Sequence, residues 1–356
     1  MQHITAKSLL VAAVAGLLHA NASLGVIVQL TQNNVDDLEP SLWGTQIVWQ
    51  QHDGNDAETI LQNGLSFGDP QTVLTNDSFH DTEPSLNGSV AAWQSWDGTD
   101  WEIHTWNGSS VVALTNDVNS DVNPNVSGDG NNIVVWERWD GTDTEVMINS
   151  GGGNVALTAN SGADAEPSVY GASVVWQSSS TSAPTASITD FDVMLYDGSS
   201  TTNLTSSQST TNHTNAAIFG SNVIWQGWDG NDWEIFLYNG STISRLTNNS
   251  VDEVNAVISG NYIAWEGFDG NDTEIFRYSI SSGTTEQITN NLAADGLPTL
   301  AGQTLAWHGN EDGDWEIYVL GTTAAAVPLP AAFWAGLALM SGMGVARYRR
   351  NRDEEV

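Results

Sequence analysis

Six times the chain places two acidic side chains three residues apart around a glycine, as in "WQSWDGTDWEIH" and "WQGWDGNDWEIF". The pairs are Asp53 and Asp56, Asp97 and Asp100, Asp140 and Asp143, Asp229 and Asp232, Asp269 and Asp272, and Glu311 and Asp314. Carboxylate oxygens are hard ligands, and Ca2+ takes six to eight of them, so rings of such side chains could hold that ion. The spacing is not that of an EF-hand loop. The competing reading is turn chemistry, in which Asp-Gly followed by Asn or Thr closes a tight hairpin and the carboxylate accepts backbone N–H groups.

A second acidic set follows a recurrent Leu-Thr pair. Counted from the threonine, the sixth residue is Asp37, Asp81, Asp121, Asp164, Thr211, Glu253 and Asp295, and the eighth adds Glu39, Glu83 and Glu166; lying just before the innermost strand, these should rim the mouth of the central channel. Asp37, Asp81, Asp121, Asp164 and Asp295, with Asp97, Asp100, Asp229, Asp232, Asp269 and Asp272, form the candidate Ca2+ ligand set. No other cofactor is implied. Histidine offers a second chemistry, because His52, His80, His213 and His308 could reach one face. None of them falls in a paired metal-ligand spacing. Nucleophile elbows, phosphate loops and zinc motifs do not occur.

These residues are positioned by a repeat. Anchor tryptophans Trp49, Trp93, Trp136, Trp176, Trp225, Trp265 and Trp307 each open a copy, and in six copies a carboxylate follows the anchor by nine residues. Between Trp176 and Asp192 the interval is longer by seven. Upstream of each anchor stand the Leu-Thr pair, an acidic loop, a short strand and a glycine, as in "LTNDSFHDTEPSLNGSVAAW". Four short strands per unit of forty to fifty residues predict a β-propeller blade. In "WEIFLYNG", Trp233, Ile235 and Leu237 share one face while Phe236 and Tyr238 share the other, so both faces need cover. The expected fold is all-β: a seven-bladed β-propeller of four-stranded blades over residues 23–321. The strand in "VIVQLT" should complete the last blade and remove an open edge.

The repeat resembles the TolB-like, or PD-repeat, β-propeller family through Pro84, Gly88, Trp93, Asp97, Gly98, Glu102, Ile103, Leu114 and Thr115, and through their counterparts in other blades. That resemblance covers almost the whole mature chain and implies a fold rather than one activity. Relatives of this repeat include periplasmic accessory proteins, peptidase propeller domains and polysaccharide lyases. Similarity to oligouronide lyases, which use histidines and a divalent metal at the channel mouth, makes a carbohydrate-active lyase or hydrolase the enzymatic alternative. Such an enzyme acting on an anionic sugar needs positive charge, and outside the termini only Arg138, Arg245 and Arg277 are basic. The exposed-looking Trp96, Trp139, Trp228 and Phe268 could stack on sugar rings or pack between blades.

The ends of the chain address the protein. Residues 1–22 read as a secretory signal peptide, with Lys7, an apolar run from Leu9 to Leu18, and a small-residue site at Ala20 and Ala22. After a linker at 322–326, residues 327–356 carry Val327, Pro328, Leu329, Pro330 and Ala331, then an apolar span of about twenty residues, long enough for one transmembrane helix. Arg347, Arg349, Arg350 and Arg352 follow and would hold the end in the cytoplasm. This order resembles the PEP-CTERM sorting signal in its VPLPA form. The resemblance implies an exosortase-type processing enzyme as partner, transient residence in the inner membrane, and delivery to the surface or extracellular matrix of a Gram-negative bacterium.

Composition agrees with an exposed destination. Forty-three acidic residues stand against eight Lys plus Arg, a formal charge of −35, which excludes nucleic acid as a partner. Cysteine is absent, so no disulfide holds the domain. The functional expectation is a non-enzymatic binding or scaffold module, with an extracellular polysaccharide or a surface protein as ligand. A periplasmic accessory role is the third reading.

Overall fold

The computed structural model describes residues 25–179, 190–206, 212–311 and 313–321. The signal-peptide, linker, sorting-signal and transmembrane-helix expectations lie outside them. Among the described residues no helix is long and apolar enough to cross a membrane.

Seven four-stranded antiparallel sheets follow one another along the chain. Blade one spans 37–73, two 81–113, three 121–156, four 164–203, five 212–245 and six 253–287. Blade seven takes its inner three strands from Asp295–Ala301, Thr304–Gly309 and Glu316–Leu320. Its outer strand is Ile27–Gln29, paired Ile27 with Leu320 and Gln29 with Tyr318. The two ends of the ring are thereby stitched, and Leu30 beside the seam is 1% exposed.

The core lies between blades. One apolar cluster joins Ile47, Trp49 and Ile60 of blade one to Ala306, Ile317 and Val319 of blade seven, and another joins Ala92 and Ile103 of blade two to Val126 and Trp136 of blade three. All seven anchor tryptophans are buried. Each large apolar side chain buried this way contributes about 1.5–3 kcal/mol.

The Leu-Thr pair has a defined task. The threonine hydroxyl accepts the backbone N–H of a third-strand residue in every blade: Thr75 from Thr59 (2.9 Å), Thr115 from Ile103 (2.8 Å), Thr158 from Val146 (2.9 Å) and Thr205 from Val193 (3.0 Å). Thr247, Thr289 and Thr31 do the same for Ile235, Ile275 and Ile317. The outer strand's end is thus tied to the blade, which fixes where the following acidic loop starts.

Candidate metal-binding face

Asp37 pairs with Gln51, and the turn between the second and third strands follows at once, so that turn shares a face with the start of the inner strand. In blade one Asp53 and Asp56 close it backbone to backbone, with N–H to carbonyl at 3.0 Å. Asp53 Oδ1 accepts the N–H groups of Asn55 (2.8 Å) and Asp56 (3.2 Å). Gly54 takes φ 99°, a region costly for any side chain. Asp97, Asp140, Asp229 and Asp269 repeat the arrangement. The donated N–H groups hold the Asp53 and Asp140 carboxyls below their usual range. Turn chemistry therefore accounts for the first aspartate of each pair.

It does not account for the second. Asp56, Asp143 and Asp232 are 2%, 0% and 4% exposed, and neither carboxylate oxygen of any of the three has a hydrogen-bond partner among the described residues. Asp100 and Asp272 each leave Oδ1 unpartnered. Burial pushes the Asp100 and Asp143 carboxyls up, and the neighbouring first aspartate adds to it.

A third acid completes each group. Glu58, Glu102, Glu145, Glu234 and Glu274 are buried, and each uses Oε1 to hold the next acidic loop by a backbone N–H, that of Asp77 in blade one (3.0 Å) and Asn291 in blade six (2.8 Å). Their Oε2 atoms make no hydrogen bond that meets ordinary geometry. In five blades one oxygen from each acid lies within 4.8 Å of the other two: Asp53–Asp56–Glu58, Asp97–Asp100–Glu102, Asp140–Asp143–Glu145, Asp229–Asp232–Glu234 and Asp269–Asp272–Glu274. The glutamates are absent from the sequence-derived ligand set, where they served only to mark register. Their fixed distance from the anchor was the available signal.

The inner-strand aspartates are a correction. Asp37, Asp81, Asp121, Asp164 and Asp295 do not rim the channel; they sit inside the blades at no more than 1% exposure. Each accepts the indole N–H of its anchor tryptophan: Trp49 to Asp37 (2.7 Å), Trp93 to Asp81 (2.9 Å), Trp136 to Asp121 (2.7 Å), Trp176 to Asp164 (2.8 Å) and Trp307 to Asp295 (2.9 Å). A buried tryptophan needs an acceptor, and the carboxylate is it. Burial raises Asp37 to about 6 and Asp81 and Asp295 to about 7. In blade five the position is held by His213, whose Nδ1 accepts from Trp225 at 3.1 Å. Thr211, assigned to that position by counting, lies outside the described residues.

The channel mouth belongs to the residue two further on, the eighth after the threonine, where Glu39, Glu83 and Glu166 do stand as expected. Glu39, Glu83, Asn123, Glu166, Asn215, Asn255 and Leu297 line a cavity of about 350 Å3 and all have positive φ, from 44° to 54°. Each marks a β-bulge in its inner strand. The bulged N–H is latched by the preceding blade: Asn123 to Gln94 Oε1 (2.9 Å), Glu166 to Glu137 Oε1 (2.7 Å), Asn255 to Gln226 Oε1 (3.1 Å) and Leu297 to Glu266 Oε1 (2.6 Å). Glu83 N–H is held by Glu39 Oε2 instead. Burial raises Glu39 and Glu166 to about 7, with Glu83 and Glu137, respectively, adding like charge.

The histidines are not gathered. His213 is in the core of blade five, His80 Nδ1 accepts the Ala57 N–H, and His308 is buried on its strand with its pKa lowered to about 4 by desolvation. Among the described residues no cluster of three or more potential ligands includes a histidine. Arg138 is committed to Asp117 and Asp121, Arg277 to Glu286, and Arg245 to Asp229 and Glu234. Beside the turns, Trp96 packs edge-on against Trp101 and Trp228 against Trp233, each pair with centroids 5.6 Å apart. Phe268 is 44% exposed.

No protein-family model matches the chain, and no curated protein matches it. Solved structures do match, and they define the class: a seven-bladed β-propeller similar to propeller domains of peptidases and to oligogalacturonate lyase. The β-propeller domain of the Trilobed protease from Pyrococcus furiosus aligns at TM-score 0.62 and 9% identity, over 83% of this chain and 98% of that one. That domain is described as having an open velcro topology, whereas here Ile27–Gln29 closes the ring. Oligogalacturonate lyase from Vibrio parahaemolyticus aligns at TM-score 0.60 and 10% identity, over 83% and 98%. The chain spans about half the length of the acylaminoacyl peptidase of Pyrococcus horikoshii, at TM-score 0.59, 11% identity and 80% coverage of this chain. A further oligogalacturonate lyase, solved in complex with manganese, aligns at TM-score 0.58 and 12% identity. At these identities the likeness is one of fold.

Proposed function

We propose that this chain is an exported, non-enzymatic binding or scaffold propeller of TolB-like descent, sorted to the surface or extracellular matrix of a Gram-negative bacterium. The observation that carries the reading is repetition. Five blades present the same acidic hairpin on the face that also holds the channel mouth, so the chemistry is spread around a ring instead of converging on one reacting point. A strongly negative, multiply repeated face suits an extracellular polysaccharide bridged by cations, or a basic patch on a surface protein. The export and sorting parts rest on the two termini, with Val327–Ala331 as the processing box and the arginine-rich end as the stop.

The test is to express the full chain in a bacterium that carries an exosortase and to treat intact cells with external protease. The propeller should be cleaved from outside, and substituting Pro328 and Pro330 by Ala should leave a longer precursor in the inner membrane. A propeller that stays in the periplasm, whatever the state of that box, would support the accessory-protein reading and overturn this one. The lyase reading draws on the two oligogalacturonate lyase neighbours. Incubation with oligogalacturonate and Mn2+ decides it, because an unsaturated product would replace the scaffold with an enzyme.

A further inference from the structure

Three carboxylates whose oxygens lie within 4.8 Å of one another repel strongly unless a cation or a proton sits among them. A cluster of acids on a surface can be relaxed by solvent. Here solvent reaches only part of each group: the first aspartate is exposed, whereas Asp56, Glu58, Glu102, Asp143, Glu145, Asp232, Glu234 and Glu274 are all at least nine-tenths buried. Asp56, Asp143 and Asp232 leave both oxygens unpartnered and place one of them within 4.8 Å of the other two acids. A buried polar atom without a partner is rare in a folded protein and calls for a ligand.

The geometry points to a divalent-cation site of the Ca2+ type in each Asp-x-x-Asp-x-Glu hairpin, with the sites in blades one, two, three and six stronger than the one in blade five. The inference stands whether or not the propeller proves to be a surface scaffold.

Outside blade five the first aspartate keeps Oδ1 on the turn and offers Oδ2, and in each site the second offers its free oxygens and the glutamate offers Oε2 while Oε1 holds the neighbouring loop. The set is all oxygen, with neither sulfur nor nitrogen, which suits a hard cation. About four protein oxygens leave the remaining positions to water, and such irregular sets favour Ca2+ over Mg2+, which demands near-ideal octahedra. Because Glu58 ties the Asp77 loop and Asp53 shapes the turn, a bound ion would link two loops of the same face.

Blade five differs by one residue. Arg245 donates to Asp229 Oδ2 at 2.8 Å and also to Glu234 Oε1, placing a guanidinium against two of the three acids. It occupies the oxygen that the first aspartate would offer and offsets one negative charge. Asp232 keeps both oxygens unpartnered, so the site survives at reduced affinity.

The test uses the full chain purified in detergent, stripped with chelator, then titrated with Ca2+ by calorimetry, with bound metal counted by elemental analysis. At least four Ca2+ should bind per chain. Asp56→Asn, Asp100→Asn, Asp143→Asn and Asp272→Asn should each remove one, and Arg245→Gln should tighten the fifth. Melting in chelator guards against misfolding as an explanation: an Asn variant that has lost its ion should melt no lower than the parent there, because a repelling charge has gone. Fewer than four ions, a count unchanged by these substitutions, or a melting response equal for Ca2+ and for Na+ at matched ionic strength would overturn the proposal.

Discussion

Asp81 and Asp143 are the same side chain, equally hidden, in equivalent blades, and they do opposite things to the fold. Asp81 accepts the Trp93 indole N–H on Oδ1, so although its Oδ2 has no hydrogen bond among the described residues, its burial satisfies a donor that would otherwise be lost in the core. Asp143 accepts nothing among the described residues and faces two other acids. One position uses the carboxylate as a hydrogen-bond acceptor for the protein's own interior, and the other is the ligand of the cation site proposed above. Burial alone therefore does not tell a structural acid from a ligand; the partner does.

The sharpest way to break this comparison is to delete an inner acid. Asp295→Ala would strand two donors, the Trp307 indole and the Asn291 amide, the latter at 2.8 Å from Oδ2. A loss of about 2–3 kcal/mol is expected by chemical denaturation, since each stranded buried donor costs about 1–3 kcal/mol. Asp295→Asn, which still offers a carbonyl to the indole, should cost less than half of that. If the alanine variant is as stable as the asparagine one, the indole bond is not what the carboxylate is for.

Proton linkage gives a comparable effect with a definite sign. Asp81, Asp295, Glu39 and Glu166 have folded values near 7, above unfolded values near 4 to 4.5. Between those limits the folded state holds more protons than the unfolded one, so stability falls as pH rises and levels off above about pH 7. Melted in chelator, the protein should melt several degrees lower at pH 8 than at pH 5, since even one group raised from about 4 to about 7 costs about 2.7 kcal/mol between pH 5 and pH 7, and 1 kcal/mol moves Tm by roughly 2–4 °C for a domain of this size. Glu39→Gln together with Glu166→Gln should flatten the slope. A protein more stable at pH 8 than at pH 5 would mean that the channel carboxylates are ionised and paired.

The ring was legible in the sequence because Trp, Gly and Leu-Thr recur in register, and a register that strict comes only from rigid hairpins. The turn aspartates were legible for the same reason. What counting could not supply was depth. Asp37 and Asp53 look alike as acids near a loop, yet one starts a strand pointing into the blade and the other caps a turn in solvent. The bulge at Glu39 shifts the inner-strand register, so of the acids expected at the mouth Glu39, Glu83 and Glu166 line it while the sixth-position aspartates turn into the blades. Glu58 was hidden by its neighbours: set in an apolar third strand, it reads as an ordinary strand residue until it is seen within 4.8 Å of Asp53 and Asp56.

The smallest effect is the most discriminating. Asp143→Asn keeps the size and shape of the side chain and removes one of three crowded charges. In chelator the variant should gain roughly 0.5 kcal/mol, the scale of a solvent-screened charge interaction, measured from the denaturant midpoint at constant slope. In excess Ca2+ the order should invert, because the parent gains about 2.7 kcal/mol from any site filled at a hundredfold over its dissociation constant and the variant has lost that gain at blade three. Asp81→Asn has no ion to lose and should respond to Ca2+ as the parent does. An inversion seen at Asp143 and not at Asp81 would separate the two kinds of buried aspartate by function, and the same shift at both positions would show that they differ only in their neighbours.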